Sequence, residues 1–320
     1  MLKVLLVKTS SLGDVVHNMP AASDIRRRFP EAHIDWVVEE AYAPLLALHR
    51  AVHRSIPVAI RRWRRGLLDA STWSEMGAVR REFRQVRYDA VIDSQGLIKS
   101  ALLARIASGR RHGHDACTAR ESLAARFYDV THHVANGQHA VTRNRLLAAA
   151  ALGYCVEGPV DYGLNIDARR ESADAYCVFL HMSGRAGKLW PEARWIELGR
   201  ALERRGLRCI IPWGSDAERA RSERIAAGLH GALVPTHRPL SSLANLLAGA
   251  RAAVGVDTGL THLAAALGVP VVALFTGSDP KSDPKLTGVY GVAQARNLGG
   301  GSEMPAVAEV LNSLSELKVF

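Results

Sequence analysis

The sequence predicts an α/β protein of two domains, each built around a parallel β-sheet. Short apolar runs, typical of strands buried on both faces, alternate with helical segments in both halves of the chain. A length of 320 residues exceeds what one hydrophobic core usually supports. A polar stretch containing glycine and proline, Glu157 to Ala175, separates the two halves. We therefore expect one domain over residues 1–160 and a second over residues 161–320.

The elements of the first half follow in the order strand, turn, helix. An apolar run predicts a strand at Leu2–Val7, and the polar turn Lys8–Asp14 leads into a helix. The remaining elements predicted for this half are the helix Val15–Phe29, the strands His33–Val38 and Asp89–Ile92, and the helix Leu97–Ala107.

The same alternation restarts at Tyr176 in the second half. The strands predicted here are Tyr176–Leu180, Leu207–Pro212, Ala252–Val256 and Val271–Phe275, and the helices are Glu192–Arg205 and Gly259–Leu267. We expect the last helix, Ala306–Leu317, to cross back onto the first domain.

Positive charge is concentrated in the first half of the chain. The net charge is +10, and residues 1–155 carry 23 Lys and Arg against 14 Asp and Glu. Such a surface suits nucleic acid, a membrane surface or an acidic substrate. No nucleic-acid-binding motif is present, so we expect no nucleic acid partner. Arg61–Arg65 holds four arginines around Trp63, which favours either a solvated charge run or a membrane-facing, anion-binding surface.

Several cofactor signatures are missing from the sequence. The first strand is not followed by GxGxxG, which argues against NAD or FAD on this half. The sequence has no DxD, HExxH or CxxC motif, so we expect no cofactor and no metal. The N-terminal apolar run is too short for a signal peptide, which favours a cytoplasmic location.

Two aspartates follow predicted strands, at the edge where open α/β sheets bind ligands. Asp14 is either the N-cap of a helix or a general base. The segment Val256–His262 contains Asp257, Thr258, Gly259 and His262, where a strand ends and a helix begins. Such a helix start favours a phosphate, although a plain capped helix explains the same residues.

Two further segments of the second half suit a nucleotide. His181–Lys188 supplies Ser183, Gly184 and two cations after a strand, which indicates either a phosphate loop or a flexible basic loop. Glu218 follows the segment Pro212–Gly214. It suits either the ribose hydroxyls or the first turn of a helix.

Seven segments spread over nearly the whole chain can be compared together. They are KTSSLGD (8–14), WVVEE (36–40), IPVAIRRWR (56–64), YDAVIDSQG (88–96), TARE (118–121), PWG (212–214) and DTGLTH (257–262). Together they resemble the heptosyltransferase I family of lipopolysaccharide inner-core synthesis, glycosyltransferases with the GT-B fold. The resemblance implies two facing Rossmann-like domains with parallel sheets and an active site in the cleft between them.

The resemblance also implies substrates and residue roles. The C-terminal domain would bind the donor, ADP-L-glycero-D-manno-heptose, and the N-terminal domain the acceptor, Kdo-lipid A, at the cytoplasmic side of the inner membrane, where the protein would associate peripherally. Asp14 matches the catalytic base of the family. The donor-binding positions are Ser183, Gly184, Lys188, Glu218, Arg238, Asp257, Thr258, Gly259 and His262, and the acceptor-binding positions are Arg61, Arg64, Lys99 and Arg120. Ser183, Gly184, Ala186 and Gly187 depart from a family loop that often has two threonines and two acidic residues.

The expected reaction is therefore an inverting transfer of heptose to a Kdo hydroxyl, with Asp14 as base and Lys188 opposite the leaving diphosphate. Two alternatives stay open at this point. The chain could be another nucleotide-sugar glycosyltransferase, such as a second heptosyltransferase. It could also be a non-catalytic module that binds a nucleotide or an anionic lipid.

Overall fold

The computed structural model describes residues 1–66, 68–166, 175–277, 279, 282–301 and 303–320. The chain divides into two compact units, residues 1–163 and 164–320, where the sequence had led us to expect a boundary at residue 160. Residues 167–174 of the predicted linker lie outside the described residues.

The first unit contains a parallel sheet whose described strands, numbered along the chain, are β1 (Lys3–Val7), β2 (His33–Glu39), β3 (Arg54–Val58), β4 (Arg87–Asp93), β5 (Ser108–His114) and β6 (Val130–His132). Its helices are α1 (Leu12–Arg28), α2 (Ala43–Leu46), α3 (Ile60–Trp63), α4 (Ala70–Gln85), α5 (Ile98–Ile106) and α6 (Ala140–Leu152), with 3-10 turns at Glu40–Tyr42 and Ser122–Phe127. The strands pair in parallel in the order β3-β2-β1-β4-β5-β6.

The central strand of this sheet is β1, and Val4 to Val7 are almost completely buried. The turns after β1, β2 and β4 stay together at the carboxyl edge of the sheet. Ser94 N–H donates to Val7 O at 3.2 Å, and Glu39 N–H donates to Thr9 O at 3.0 Å. The segments after β1 and β4, in which sequence analysis placed candidate site residues, therefore lie side by side at this edge of the sheet.

The second unit has its own parallel sheet, with described strands β7 (Tyr176–Leu180), β8 (Arg208–Ile210), β9 (Ala252–Val256), β10 (Val271–Phe275) and β11 (Ala295–Gly299). Its helices are α7 (Glu192–Glu203), α8 (Asp216–Ala227), α9 (Leu240–Ala248), α10 (Gly259–Ala266), α11 (Pro284–Thr287) and α12 (Val307–Glu316), with a 3-10 turn at Ala186–Lys188. The strand order is β11-β10-β9-β7-β8, all parallel. The predicted class, two α/β units with parallel sheets, is confirmed.

The last helix, α12, uses its buried face within the second unit. Val307, Val310 and Leu314 belong to the same core cluster as Trp190 and Trp195. These side chains fill the core beside α7 and β10. The expectation that the helix also packs on the first domain stays a prediction. In the described part of the chain, none of the helices combines the length and hydrophobicity that crossing a bilayer requires.

Candidate active site

Asp14 lies in the first turn of α1, just beyond the carboxyl end of β1. Ser11 is the N-cap residue, and its backbone N–H donates to the Asp14 carboxylate at 3.0 Å. Arg120 forms an ion pair with the same carboxylate. The suggestion that Asp14 is the N-cap is therefore wrong, because Asp14 is the third helical residue. Its carboxylate supports the helix start and also holds a cation.

The charge state of Asp14 is set by two neighbouring cations. Burial raises the pKa of this carboxyl, but the Lys8 ammonium and the Arg120 guanidinium outweigh burial and hold the pKa well below its ordinary value. Burial also lowers the pKa of Lys8 to about 8, although Asp14 opposes the shift. Asp14 is therefore a carboxylate at neutral pH, the form in which a general base must be present.

The acceptor-binding candidates occupy the same unit. Arg61 is exposed, its backbone N–H donates to Glu39 Oε1 at 3.1 Å, and its guanidinium lies 6.0 Å from the Tyr42 ring centre. Arg64 is exposed one residue beyond α3, and Lys99 is exposed in the first turn of α5. Arg120 is the member of this group that contacts Asp14.

Trp63 has a different role from the one suggested by its sequence context. It is only 7% exposed and belongs to the core of the first unit, and its Nε1–H donates to Glu75 Oε2 at 2.8 Å. The expectation that this tryptophan faces a membrane interface is therefore wrong. Arg62 also binds Glu75, at 2.9 Å. The exposed Arg61 and Arg64 thus lie on either side of the buried Trp63 in the sequence.

In the second unit, the buried Asp257 lies at the centre of a polar cluster beyond β9. Its carboxylate accepts hydrogen bonds from the Lys188 ammonium, the Ser282 hydroxyl and, at 3.2 Å, His262 Nε2. Burial raises the pKa of Asp257, but these three donors outweigh burial and hold the pKa well below its ordinary value. Lys188 and His262, 74 positions apart in the sequence, are therefore joined through one ionised carboxylate.

The helix beginning after this cluster is α10, with Thr258 as N-cap and Gly259 as its first residue. The Thr261 hydroxyl donates to Val256 O at 2.7 Å, which fixes the turn between β9 and the helix. A Cβ on Gly255 would lie 2.1 Å from Thr261 Oγ1, so only glycine fits this close approach. The unpaired N–H groups of the first turn of a helix are suited to a phosphate.

A pocket of about 130 Å³ opens beside this helix in the second unit. The sequence-predicted residues Glu218, Arg238 and Thr258 line it, together with Trp213 and His181. Glu218 Oε2 accepts from Gly214 N–H at 2.7 Å, and Glu218 is the third residue of α8. Supporting a helix start and facing a ligand pocket are therefore compatible roles for this carboxylate.

Ser183 and Gly184 lie in the loop between β7 and Lys188. Ser183 is partly exposed, and Gly184 faces open space. The loop is attached at its far end, because the Thr276 hydroxyl donates to Gly187 O at 2.5 Å. The loop that departs from the family pattern therefore still places Lys188 in contact with Asp257.

Sequence reasoning missed several residues of these sites. The Gln95 side chain fixes the turn after β1 by two hydrogen bonds. Its Oε1 accepts from Thr9 N–H at 3.0 Å, and its Nε2 donates to Ser10 O at 2.6 Å. Ser282 completes the Asp257 cluster. The signal available for Gln95 was its position directly after a buried strand. Among the described residues, no three His, Cys, Asp or Glu side chains are grouped so as to hold a metal ion.

Comparisons with known proteins bear on the whole chain. Residues 76–309 match the family model described as glycosyltransferase family 9 (heptosyltransferase). Lipopolysaccharide heptosyltransferase 1 of Pseudomonas aeruginosa is 49% identical over 311 residues, covering 95% of this chain and 85% of that protein.

Two solved structures show the same fold along their length. The Escherichia coli heptosyltransferase WaaC with ADP is 42% identical, with a TM-score of 0.88 over 99% of this chain and 100% of the other. WaaC with ADP-2-deoxy-2-fluoro heptose is 41% identical, with a TM-score of 0.84 over 98% and 99%. The family match covers well over half of the chain, and the similarity to the relatives extends over almost all of it. The chain therefore belongs to glycosyltransferase family 9, the heptosyltransferase family.

Proposed function

We propose that this protein transfers L-glycero-D-manno-heptose from ADP-heptose to a hydroxyl of the Kdo in Kdo-lipid A, with inversion at the anomeric carbon. The observation that carries the proposal is its 49% identity, over 95% of the chain, to a lipopolysaccharide heptosyltransferase 1. The likeness to WaaC with ADP and with a fluorinated ADP-heptose supports a nucleotide-heptose donor.

In this proposal the donor binds to the second unit. The pocket lined by Glu218, Arg238 and Trp213 takes the adenosine, with the ribose hydroxyls donating to the Glu218 carboxylate. The diphosphate lies at the N-terminus of α10, near Thr258 and Gly259, and binds Lys188. What supports this placement is that Thr258 both caps α10 and lines the pocket.

The proposed chemical step forms one bond and breaks another. The Kdo hydroxyl oxygen forms a bond to the anomeric carbon as the bond from that carbon to the diphosphate oxygen breaks, and ADP leaves with the electron pair. The hydroxyl proton passes to the Asp14 carboxylate, which the neighbouring cations keep ionised. Attack opposite the leaving group inverts the configuration.

We further propose that the leaving group is stabilised without a metal ion. The Lys188 ammonium and the backbone N–H groups at the start of α10 are fixed donors, which can stabilise developing negative charge. Asp257 binds the Lys188 ammonium that the diphosphate would need. Donor binding then transfers this ammonium, in whole or in part, from a carboxylate to a phosphate.

The acceptor is proposed to bind to the first unit, on the inner face of the inner membrane at the cytoplasmic side. An anionic lipid suits the excess positive charge of residues 1–155. Exposed Arg61 and Arg64 are followed in the sequence by two exposed apolar side chains, Leu68 and Trp73, which are 101% and 60% exposed. Cations beside exposed apolar groups support peripheral association with an anionic membrane surface.

The test is turnover with purified substrates. ADP release from ADP-heptose should require Kdo-lipid A, and the lipid product should gain one heptose by mass spectrometry. Release with heptosyl-Kdo-lipid A but not with Kdo-lipid A would instead identify a second heptosyltransferase. Binding of ADP-heptose without turnover on either lipid would refute the proposed enzyme activity.

A further inference from the structure

A small cavity lies in the first unit, beside the ion pair of Asp14 and Arg120. Three cationic side chains, Lys8, Arg120 and Arg143, line it together with His114. Lys8 follows β1, His114 ends β5 and Arg143 lies on α6, so the cavity sits at the carboxyl edge of the sheet. Lys8 is 3% exposed and His114 is 4% exposed.

The charges of the side chains that line this cavity do not balance, because no carboxylate is among them. Lys8 Nζ donates to Ser94 O at 2.7 Å and to Asn144 Oδ1 at 3.4 Å, which are both neutral acceptors. Arg143 Nη2 likewise donates to a backbone carbonyl, Thr118 O, at 2.7 Å. Burial lowers the pKa values of Lys8 and Arg143, and the nearby Arg120 lowers them further.

The carboxylates around the cavity are already engaged. Asp14 pairs with Arg120, and the buried Asp93 accepts from the Tyr128 hydroxyl at 2.8 Å. Burial also raises the pKa of Asp93. Asp115 accepts from Thr118 and His133. The residues that line the cavity itself include three cations and no carboxylate, an arrangement that favours a bound anion.

Two buried polar atoms of the lining residues are without a hydrogen-bond partner among the described residues. They are His114 Nδ1 and Arg143 Nε. Burial lowers the pKa of His114 to about 3, so its ring is neutral and one of its nitrogens carries a hydrogen to donate. A buried donor left unpaired is costly, and an anion that accepts from it would remove that cost.

We infer that this cavity binds the carboxylate of the acceptor sugar acid and thereby positions the acceptor beside Asp14. The inference rests on the proposed function, because that function supplies a carboxylated acceptor. The cavity holds about 30 Å³. That is the space of two or three water molecules, because one water needs about 10–15 Å³. Two carboxylate oxygens fit such a space better than a tetrahedral phosphate does, and the planar fork of an arginine matches a carboxylate.

The site also connects acceptor binding to the base. Arg120 both lines the cavity and binds Asp14, so a carboxylate that enters the cavity competes with Asp14 for the same guanidinium. A loosened Arg120 contact raises the proton affinity of Asp14, because an opposite charge held it down. The base would thus become a better proton acceptor when the acceptor is bound.

The first experiment measures binding alone, with the full-length protein and free Kdo as the probe. Histidine ring signals in an NMR titration should shift with Kdo and stay in place with the carboxamide of Kdo. Arg143→Gln should weaken Kdo binding by roughly 10- to 150-fold, the loss of a charge-assisted hydrogen bond. Arg84→Gln, which removes one exposed arginine from α4, is the matched control and should bind Kdo normally.

The second experiment measures turnover with a Kdo-lipid A acceptor and with its Kdo carboxamide counterpart. In the wild type the carboxamide should lower kcat/KM by a similar factor, and in Arg143→Gln the two acceptors should become nearly equal. Lys8→Met provides a second variant if Arg143→Gln unfolds, and circular dichroism reports folding. If the Arg143→Gln substitution and the carboxamide acceptor each lowered kcat/KM by its own factor, and the two factors multiplied in combination, the cavity assignment would be overturned.

The two experiments separate this inference from the proposed function. If free Kdo binds in the cavity but no lipid is glycosylated, the carboxylate site stands and the proposed function fails. If glycosylation proceeds with equal losses for both acceptors in every variant, the function stands and the carboxylate site is refuted.

Discussion

Replacing Asp14 by asparagine separates its proposed catalytic role from its role at the start of α1. The asparagine oxygen can still accept the Ser11 N–H, which lies 3.0 Å from the carboxylate. The amide cannot take a proton at neutral pH, so general-base catalysis is lost. Such proton transfer typically contributes about 10²–10⁴-fold, and we expect kcat to fall by at least about a hundredfold.

The expected cost in stability is small and can be worked from the contacts. A hydrogen bond to a charged group contributes about 1.5–3 kcal/mol, and a neutral one about 0.5–1.5 kcal/mol. The Asp14 side chain is 18% exposed and Arg120 is 44% exposed, so solvent weakens their ion pair. We therefore expect a loss of about 1 kcal/mol, or about 2–4 °C in Tm for units of this size.

The pH dependence of that loss has a defined sign. The folded pKa of Asp14 lies below its unfolded value, so its carboxylate stabilises the fold at pH values above about 4. This contribution is lost as the pH falls further, whereas asparagine does not titrate. The difference in unfolding free energy between wild type and Asp14→Asn should therefore shrink below about pH 4.

A matched control exists in the second unit. Glu309 is the third residue of α12, and its carboxylate accepts from the backbone N–H of the N-cap Ala306 at 2.6 Å. Glu309→Gln should cost comparable or less stability and leave kcat unchanged. The assay is steady-state ADP release with both substrates saturating, paired with thermal melts. A kcat for Asp14→Asn within about threefold of wild type would refute the base assignment.

Four further outcomes are expected. Lys188→Ala should weaken ADP-heptose binding by roughly 1.5–3 kcal/mol, because the diphosphate loses a charge-assisted bond beside Asp257; an unchanged Kd in calorimetry removes Lys188 from the donor site. Arg61→Ala combined with Arg64→Ala should raise the acceptor KM and leave the Kd for ADP-heptose unchanged; loss of donor binding with an intact acceptor KM would contradict the assigned roles. Lys8, whose pKa is lowered to about 8, disfavours the folded state while it is protonated. The Lys8 contribution to the free energy of unfolding should therefore increase as the pH rises from about 8 to its unfolded pKa near 10.4. Urea melts of Lys8→Met should lack this increase. Activity should persist in excess EDTA, and a complete loss that added metal restores would contradict a metal-free step.

Sequence reasoning predicted the bounds of a strand most accurately where the strand is a continuous apolar run. Tyr176–Leu180, Ala252–Val256 and Val271–Phe275 were predicted with the bounds the structure has, because both faces of each strand are buried. The strand Ser108–His114, with the sequence SGRRHGH, was missed. Its place depends on backbone pairing with β4 and not on apolar side chains.

The glycines of that missed strand show what a local pattern could not reveal. A Cβ on Gly113 would lie 2.2 Å from the Tyr128 ring, and one on Gly109 would lie 2.5 Å from Tyr88 O. Both glycines allow a close approach by residues 15 or more positions away in the sequence. Only the folded packing identifies them as strand residues.

Sequence analysis also identified only part of the candidate site. Asp14 and Asp257 were singled out because each directly follows a strand or its turn, and the carboxyl edges of parallel sheets collect ligand-binding groups. Arg143, His114 and Ser282 were not, because their meaning depends on long-range neighbours. Lys8 and Asn144, for example, meet across 136 positions of sequence.

The buried Trp63 has a consequence for how the exposed arginines beside it bind. A side chain on a mobile loop loses conformational entropy when it closes on a ligand, about 0.5–1.5 kcal/mol for each long side chain, and the loop backbone adds more. Trp63 and its bond to Glu75 have already restricted the backbone that carries Arg61 and Arg64. If this surface binds an anionic headgroup as proposed, the entropy lost on binding is reduced to that of the guanidinium arms. Affinity would then depend on a tryptophan that does not touch the ligand.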